Sequence, residues 1–439
     1  MIVNVKNSTM VLPSIETPKS SLWVSNLDLL QRISHLSVLY FYSSDGSSTS
    51  FHLPVLQDAL SKALATFYPL AGRLKRAETG RIEISCSGAG ALLVEASTDS
   101  VLHDLGDFTP SMELQKLIPA IDYSNQNISS SPIFLAQVTY FKCGGVSIGM
   151  CIHHTVVDMI SSVNFINHWS QAARGLHLSI PTFMDRHPLQ ARDPPTPLFD
   201  HVEYQDSPSL NTPPQSTQQS KTSPLVAKLT ISLDQLNLLK SKLPELETQR
   251  QGNAEYTSLE MLAGHVWRCM CEARNLARDQ QTKIYIPTDA RARLSPAIPP
   301  GYFGNAVFLA AAVAAAGDLL SGSTSIAVAR VHDALARMDD EYLRSALNFL
   351  ELQSDPNLVI RRTDTFRCPN VAFVSWAEHP LYEADFGWGR PMYVGPAKVL
   401  SEGQAYLLPS PPDQSSLYSL VISLQEQHME PFLMHFYDI

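Results

Sequence analysis

Two adjacent histidines, His153 and His154, are followed by Asp158 where an apolar stretch ends and a helical pattern begins. Side chains at the end of a rigid element can project into a cleft. Imidazole has an unperturbed pKa of about 6.5, so near pH 7 it is largely neutral and can take a proton from an attacking hydroxyl or amine. We therefore expect His154 to act as a general base. Asp158, about one helical turn away, would orient the ring or pair with a distant arginine.

Other chemistries fit these residues less well. Adjacent side chains at a strand end point to opposite faces, so His153 and His154 would chelate one metal ion poorly. The chain has no Gly-x-Ser-x-Gly nucleophile elbow, because its match to that pattern, at 145–149, falls within the strand predicted at 146–152 and not at a strand-to-helix turn. None of its six cysteines lies in a context typical of a nucleophile. Direct transfer between two bound substrates is therefore simpler than a covalent acyl-enzyme. A histidine pair that merely packs in the core stays open as the plainest alternative.

The composition is that of a globular protein. Of the 439 residues, 44% are hydrophobic and 17% are charged, which is enough apolar material to bury a core. The formal net charge of -10 argues against non-specific binding to nucleic acid or to an anionic membrane. The longest apolar run, 306–316, is shorter than the roughly 20 residues that span a bilayer. The first residues also lack the pattern of a secretory signal, so we expect a cytoplasmic protein.

Residues 193–224 are rich in Pro, Ser, Thr and Gln and poor in aliphatic side chains. Such a segment is typical of a linker, so we expect a crossover between an N-terminal lobe, 1–192, and a C-terminal lobe, 225–439. Apolar spacing predicts helices at 53–68, 156–172 and 258–276, and strands at 81–85, 133–141, 146–152 and 283–287. Helices and strands interleave in both halves, which indicates a mixed α/β protein.

A second motif, Asp-Phe-Gly-Trp-Gly at 385–389, lies far downstream of the His-x-x-x-Asp motif at 154–158. Supporting segments are STMV at 8–11, YPLAGRL at 68–74, EMLAGHVWRC at 260–269, PPGYFGN at 299–305 and MDDEYLRSAL at 338–347. With these residues the chain resembles the plant BAHD acyltransferases from end to end, and most of all their hydroxycinnamoyl transferases. Two signatures in the right order are far more specific than either alone.

The resemblance implies two chloramphenicol-acetyltransferase-like lobes with an active-site channel between them. It implies acyl-CoA as co-substrate, a small-molecule acceptor, no resident cofactor or metal, and a monomer. Asp158 is then expected to be structural and to pair with Arg291 or Arg293, and Asp385 is expected to be structural too. Trp388 would either pack or donate its indole N–H to the thioester oxygen. The residues expected to bind the donor are Ser258, Thr288 and Asp289.

The acceptor pocket departs from that of shikimate- and quinate-using relatives. Alignment on Tyr40 puts Leu36 and Val38 where those relatives have small hydroxyl residues, with His35 beside them. Glu378 stands where they have an arginine that clasps the acceptor carboxylate. Because an anion there would repel a carboxylate, we expect shikimate and quinate to be poor acceptors and an amine or amino alcohol to be favoured. This preference disappears if Glu378 faces solvent.

Several other functions stay open. The chain could be a standard shikimate or quinate hydroxycinnamoyltransferase, or a catalytically silent acyl-CoA-binding protein on the same scaffold. A condensation domain of the non-ribosomal peptide type shares His-His-x-x-x-Asp, but it normally continues with Gly where this chain has Met159, and it lacks Asp-Phe-Gly-Trp-Gly. A metal-dependent hydrolase would contain bound zinc.

Overall fold

The structure is a computed structural model. It describes residues 1–31, 34–44, 52–123, 128–176, 181–211, 224–243, 255–353, 365–398, 401–411 and 414–439. Residues 212–223 of the expected linker therefore lie outside the described residues. Within the described ranges the chain is a mixed α/β protein, as its sequence predicts, with two six-stranded sheets and one three-stranded sheet.

The strands are β1 Asn4–Val11, β2 Ser21–Trp23, β3 His35–Tyr42, β4 Arg73–Arg76, β5 Ile82–Ser85, β6 Ala91–Thr98, β7 Phe134–Phe141, β8 Val146–His153, β9 Leu225–Ile231, β10 Gln281–Asp289, β11 Val307–Ala315, β12 Val371–Ser375, β13 Tyr393–Pro396, β14 Gln404–Pro409 and β15 Tyr418–Leu424. The helices are α1 Asn26–Leu29, α2 Leu53–Thr66, α3 Met159–Ala173, α4 Leu233–Ser241, α5 Ser258–Ala273, α6 Ala316–Leu320, α7 Ser325–Ala336, α8 Asp340–Glu351 and α9 Glu426–Tyr437. Short 3₁₀ helices lie at Tyr68–Ala71, Leu102–Leu105, Leu114–Leu117, His187–Leu189, Val202–Tyr204 and Leu381–Glu383. No helix in the described ranges is both long and apolar enough to cross a membrane.

The first large sheet has the strand order β1-β6-β7-β8-β3-β13. Every residue of its central strand β8 is buried, which explains why that stretch of the sequence is mostly apolar. Helices α2 and α3 pack on one face of this sheet and close the core of the N-terminal lobe. The edge strand β13 pairs antiparallel with β3, although it belongs to the expected C-terminal range 225–439. A strand of the second half therefore completes the sheet of the first half.

The second large sheet has the order β11-β10-β12-β14-β15-β9. Its strands alternate their side chains between two faces. Along β10, Ile284 and Ile286 pack into the C-terminal core with α5 and α7, whereas Tyr285, Pro287 and Asp289 face a cavity that the first sheet borders on its other side. The strand alternation thus presents one face of this sheet to the space between the lobes.

Capping residues explain where the important helices begin and end. Helix α3 begins at Met159 rather than at the predicted residue 156, because Asp158 has extended dihedral angles and its side chain caps the amide of Ser161. Helix α5 begins as predicted with a capping box of Thr257 and Glu260. It ends earlier than predicted, just before Asn275, whose φ of 47° lies in the left-handed region. Residues 154–158 are therefore a turn between β8 and α3.

The described part of the crossover segment packs against α8. The Ser345 hydroxyl accepts hydrogen bonds from the amides of Leu198 and Phe199 and contacts Nε2 of His201 at 2.9 Å. Tyr342 donates its hydroxyl hydrogen to Glu203 at 2.8 Å. A segment that its composition marks as a linker is thus held to the C-terminal lobe by hydrogen bonds together with ring contacts, such as that of Phe199 with Tyr342.

A glycine in β8 allows the close approach of another chain segment. A Cβ added at Gly149 would overlap the carbonyl oxygen of Leu117, a backbone atom that cannot move aside cheaply. We predict that Gly149→Ala costs about 1–3 kcal/mol of folding free energy, seen as a fall of several degrees in the melting temperature. The control is Gly322→Ala, whose new Cβ would meet only the flexible end of Ile326. Equal melting temperatures for the two variants would contradict this packing.

Candidate active site

The turn that follows β8 brings His154 into the cavity between the lobes. Its backbone N–H donates to the carbonyl of Ser34 at 2.9 Å, and its own carbonyl accepts from Nδ2 of Asn305 at 2.9 Å. The side chain is half-buried and lines a cavity of about 700 Å³. The backbone N–H and carbonyl of His154 are therefore each held by a hydrogen bond, one to each lobe, while the imidazole borders the cavity.

The side chain of Asp158 has a structural role. It is 2% exposed, and its carboxylate accepts from the amides of Ser161 at 2.9 Å and Ala306 at 3.0 Å. The Arg291 guanidinium donates to both carboxylate oxygens, at 3.0 and 2.9 Å. Burial by itself would raise the pKa of this carboxyl, but Arg291 and the two amides hold the pKa below its ordinary value. The carboxylate is thus ionised and occupied by lobe-joining contacts.

The partner of Asp158 is Arg291 and not Arg293. Arg293 donates instead to the carbonyls of Leu335 and Met338, at 3.1 and 3.2 Å. Arg291 also donates to Asp289 at 2.7 Å. One guanidinium therefore connects a carboxylate of the N-terminal lobe with one at the end of β10.

A second buried ion pair supports the same turn. Asp28 and Arg186 are 0% and 1% exposed, and their side chains meet at 2.8 Å. Asn305 donates to Asp28 through its backbone N–H at 3.1 Å and through Nδ2 at 2.8 Å, while the same Nδ2 holds the carbonyl of His154. Arg186 donates to the carbonyl of Val156 at 2.8 Å. The turn is thus held at two further points.

Sequence reasoning did not identify this second pair. A signal for Asp28 existed, because Ser25 and Asp28 form a capping box at the start of α1 and have the spacing of that motif. Asn305 ends the segment at 299–305, which matches the family pattern. No local pattern pointed to Arg186, because a buried arginine is recognised only by its partners.

The expected acceptor residues on β3 divide between two environments. His35 and Leu36 line the cavity. Val38 and Tyr40 do not, because they pack into the N-terminal core, where Tyr40 is 0% exposed. The expectation that Val38 and Tyr40 contact the acceptor is corrected because both pack in that core, whereas Leu36 lies near the end of β3, where the strand meets the cavity.

His35 is fixed in one orientation. Its Nε2 donates to the carbonyl of Pro132 at 3.0 Å, so Nδ1 accepts from the hydroxyl of Tyr123 at 2.9 Å. Burial lowers the pKa of His35 to about 4, with the Pro132 hydrogen bond opposing this shift. His35 is therefore a neutral part of the cavity wall near pH 7.

Glu378, expected at the acceptor pocket, lies outside it. The side chain is exposed, and the residues that line the cavity include its neighbours Trp376 and His379 but not Glu378. The turn after β12 directs His379 inward and Glu378 outward. The expectation that Glu378 contacts the acceptor is therefore wrong, and this side chain gives no reason to prefer an amine.

Of the three residues expected to bind the donor, the structure brings one to the cavity. Asp289 lines it. Thr288 points to the opposite face of β10, where its hydroxyl donates to the carbonyl of Ile286 at 3.1 Å. Ser258 is the first residue of α5 and lies outside the lining. Ser258 and Thr288 therefore lie outside this cavity, and their part in binding the donor stays a prediction.

Asp385 organises the Asp-Phe-Gly-Trp-Gly loop. Its Oδ1 accepts from the backbone N–H groups of residues 387, 388 and 389, at 2.7, 3.1 and 3.0 Å. Its Oδ2 lies 3.3 Å from the guanidinium of Arg174 on α3. The second signature is thus a carboxylate-centred turn that attaches the C-terminal half to the N-terminal lobe.

Trp388 packs beside this turn. Its ring stacks on Phe386 with centroids 5.6 Å apart and meets Tyr42 edge-on at 5.5 Å. Trp388 is not among the described residues that line the cavity with His154. The suggested role as donor to the thioester oxygen is therefore corrected, because the loop aims the indole at the aromatic core of the N-terminal lobe.

The C-terminal wall of the cavity is aromatic. Tyr285 and Phe366 meet edge-on with centroids 5.4 Å apart, and Trp376 and Tyr406 do the same at 5.5 Å. Such a wall can bury a flat apolar group. In the described part of the chain, no group of three His, Cys, Asp or Glu side chains is arranged to hold a metal ion.

Comparisons with known proteins agree with this geometry. A model of the Transferase family matches residues 1–439. The chain is 51% identical to shikimate O-hydroxycinnamoyltransferase of Nicotiana tabacum, over 100% of both chains, and 45% identical to hydroxycinnamoyl-CoA:5-hydroxyanthranilate N-hydroxycinnamoyltransferase HHT4 of Avena sativa, over 98% of both. The fold is that of vinorine synthase, with a TM-score of 0.72 at 20% identity over 98% of this chain and 96% of that one.

The chain belongs to the BAHD family of transferases. It is an acyl-CoA-dependent acyltransferase, and it has a cavity between two sheet-containing lobes. The condensation-domain and metal-hydrolase alternatives give way to this assignment.

The pairing of Asp158 predicts an acid-dependent loss of stability. Its pKa is lower in the folded than in the unfolded chain, so its contribution is complete above the ordinary value and is lost as pH falls through the folded value. We predict that Asp158→Asn lowers the melting temperature by many degrees at pH 7, because breaking a buried pair costs about 3–5 kcal/mol.

The gap in melting temperature between wild type and Asp158→Asn should narrow below about pH 4. Asp318→Asn, which removes an exposed carboxylate in α6, serves as the matched control and should shift the melting temperature little at any pH. A gap that stays constant or widens in acid would contradict the assignment.

Proposed function

We propose that this enzyme transfers a hydroxycinnamoyl or related aromatic acyl group from CoA to a hydroxyl or amine acceptor, with His154 as general base in a ternary complex. The supporting observation is the placement of His154, which borders a cavity that both sheets line. The same proposal has the enzyme acting as a cytoplasmic monomer without a resident cofactor.

The proposed reaction needs one proton carrier. An imidazole nitrogen of His154 takes the proton from the acceptor O–H or N–H as that atom attacks the thioester carbonyl carbon. The new C–O or C–N bond forms, the C–S bond breaks, and the departing CoA thiolate receives the proton from the imidazolium. Asp158 takes no part in proton transfer, because its oxygens are occupied by Arg291 and backbone amides.

Cysteine chemistry supports direct transfer rather than an acyl-enzyme. Cys151, three residues before His154, is 0% exposed, and burial raises its pKa to about 12, opposed by the contact with Ser37. A thiol with that pKa is protonated near pH 7 and is a poor nucleophile. The attacking atom is therefore assigned to the acceptor itself.

The acyl group is assigned from the cavity wall and from the relatives. The aromatic side chains of Tyr285, Phe366, Trp376 and Tyr406 offer flat surfaces for a phenylpropenoyl group. Both relatives described above are named hydroxycinnamoyltransferases. A panel of acyl-CoA donors that includes p-coumaroyl-, caffeoyl-, benzoyl- and acetyl-CoA tests this, with p-coumaroyl- or caffeoyl-CoA expected to give the highest kcat/KM.

The class of acceptor is less constrained. One relative is named for O-acylation of shikimate and the other for N-acylation of an aromatic amine, so both chemistries occur at this level of identity. Leu36 makes part of the wall next to His154 apolar, which favours an acceptor less polar than shikimate or quinate. Shikimate as the best acceptor in a panel of alcohols and amines is the alternative outcome.

Replacing the proposed base should abolish turnover without unfolding the protein. We predict that His154→Ala lowers kcat/KM at least about a hundredfold for every donor and acceptor pair that the wild type accepts, as measured by mass spectrometry of the products. His103→Ala, which removes an exposed histidine outside the cavity lining, should retain wild-type activity. Near-normal turnover by His154→Ala would overturn the mechanism.

A further inference from the structure

A second histidine, His379, faces the cavity from the C-terminal side. Backbone hydrogen bonds fix its turn: its N–H donates to the carbonyl of Trp376 at 3.1 Å, and its carbonyl accepts from the amide of Leu381 at 2.8 Å. Asn167 of α3 donates to the carbonyl of the intervening Pro380 at 3.1 Å. The inward direction of His379 is thus set by backbone contacts on both sides and by a contact across the lobes.

The His379 ring has unused hydrogen-bonding capacity. Within the described residues, its nitrogens make no hydrogen bond to the protein, and the half-buried ring lines the cavity. Burial lowers its pKa, although the nearby carboxylates of Asp158, Asp289 and Glu378 oppose the shift and Arg291 adds to it. The ring is therefore neutral near pH 7, with one nitrogen that donates and one that accepts.

Asp289 provides a second unused group on the same wall. Its Oδ1 accepts from the side chain and the amide of Arg291, at 2.7 and 3.3 Å. Within the part of the chain that the structure describes, its Oδ2 makes no hydrogen bond, and the side chain is 39% exposed at the cavity. Arg291 also donates to Asp158. The ion pair between them therefore connects this wall to the turn that carries His154.

Taken together, these groups suit a ligand that donates hydrogen bonds. Two carboxylates, Asp158 and Asp289, face one guanidinium whose Nη1 and Nη2 both donate to the protein. These three side chains together carry a net negative charge, so a carboxylate placed beside them would be repelled. A hydroxyl or ammonium group would instead find the Asp289 oxygen and an accepting imidazole nitrogen.

We propose that His379 and Asp289 together bind a second hydroxyl or amino group of the acceptor, next to the group that His154 deprotonates. The acceptor is accordingly a diol or amino alcohol rather than a mono-alcohol. This inference rests on the proposed function, since it describes how the acceptor is held. It makes His379 a specificity-determining residue that touches substrate and takes no part in proton transfer.

Simple probes can test this assignment by binding as well as by turnover. Calorimetric titration of enzyme saturated with CoA would compare trans-cyclohexane-1,2-diol, trans-2-aminocyclohexanol and cyclohexanol, and p-coumaroyl-CoA would serve as donor for turnover. We expect the wild type to bind the diol and the amino alcohol about tenfold more tightly than cyclohexanol, the value of one to two hydrogen bonds.

The variants separate recognition from folding. His379→Leu should reduce this preference to less than about threefold, His379→Asn should restore part of it, and Glu378→Gln, an exposed neighbour outside the cavity, should change nothing. The dissociation constant of CoA and the melting temperature should stay at wild-type values in all three variants.

An unchanged preference in His379→Leu, no preference in the wild type, or a shift in CoA affinity in place of acceptor affinity would each overturn the inference. These outcomes differ from failure of the proposed function. Loss of the diol preference leaves His154-dependent acyl transfer intact, whereas failure of the function means that no donor and acceptor pair reacts.

Discussion

The arrangement of the active site depends on a buried ion pair that joins the two lobes. Asp158 ends the turn of the N-terminal lobe that carries His154, and Arg291 follows β10 of the C-terminal lobe. A buried charge is costly unless a partner and hydrogen bonds compensate it. Here both carboxylate oxygens are fully used, by Arg291, Ser161 and Ala306. The lobes can separate only by leaving charges uncompensated, so the cavity between them keeps its shape.

This constraint explains why the aspartate of the first signature stands four residues after the histidine. At that position Asp158 caps α3 and reaches the opposite lobe, while His154 is the first residue of the turn after β8. Asn305 adds a second connection, because one side-chain amide holds both Asp28 and the carbonyl of His154. His154 is held through its backbone N–H and carbonyl, and its imidazole borders the cavity. In the segment 154–158, the backbone and the Asp158 carboxylate thus join the lobes, while the imidazole of His154 faces the cavity.

The fold class, the two lobes and the position of His154 at a strand end could be predicted because they depend on features visible in the sequence: an apolar strand, a Pro- and Ser-rich linker and widely spaced signatures. Side-chain direction in irregular segments could not. Glu378 and His379 are neighbours in sequence, yet the turn sends one to solvent and the other to the cavity. Trp388 likewise turns to the core because Asp385 binds three successive amides of its loop. Tertiary contacts set these directions, and no spacing rule contains them.

The central claim is that one imidazole stands between a thioester and the acceptor nucleophile. Its most direct test is a crystal structure of the enzyme with a non-transferable thioether analogue of p-coumaroyl-CoA and a bound acceptor. We predict that the acceptor oxygen or nitrogen lies within about 2.6–3.2 Å of an imidazole nitrogen of His154, and in line with the carbon that replaces the thioester carbonyl. An acceptor bound away from His154, with another side chain in contact with its nucleophile, would overturn the proposed mechanism.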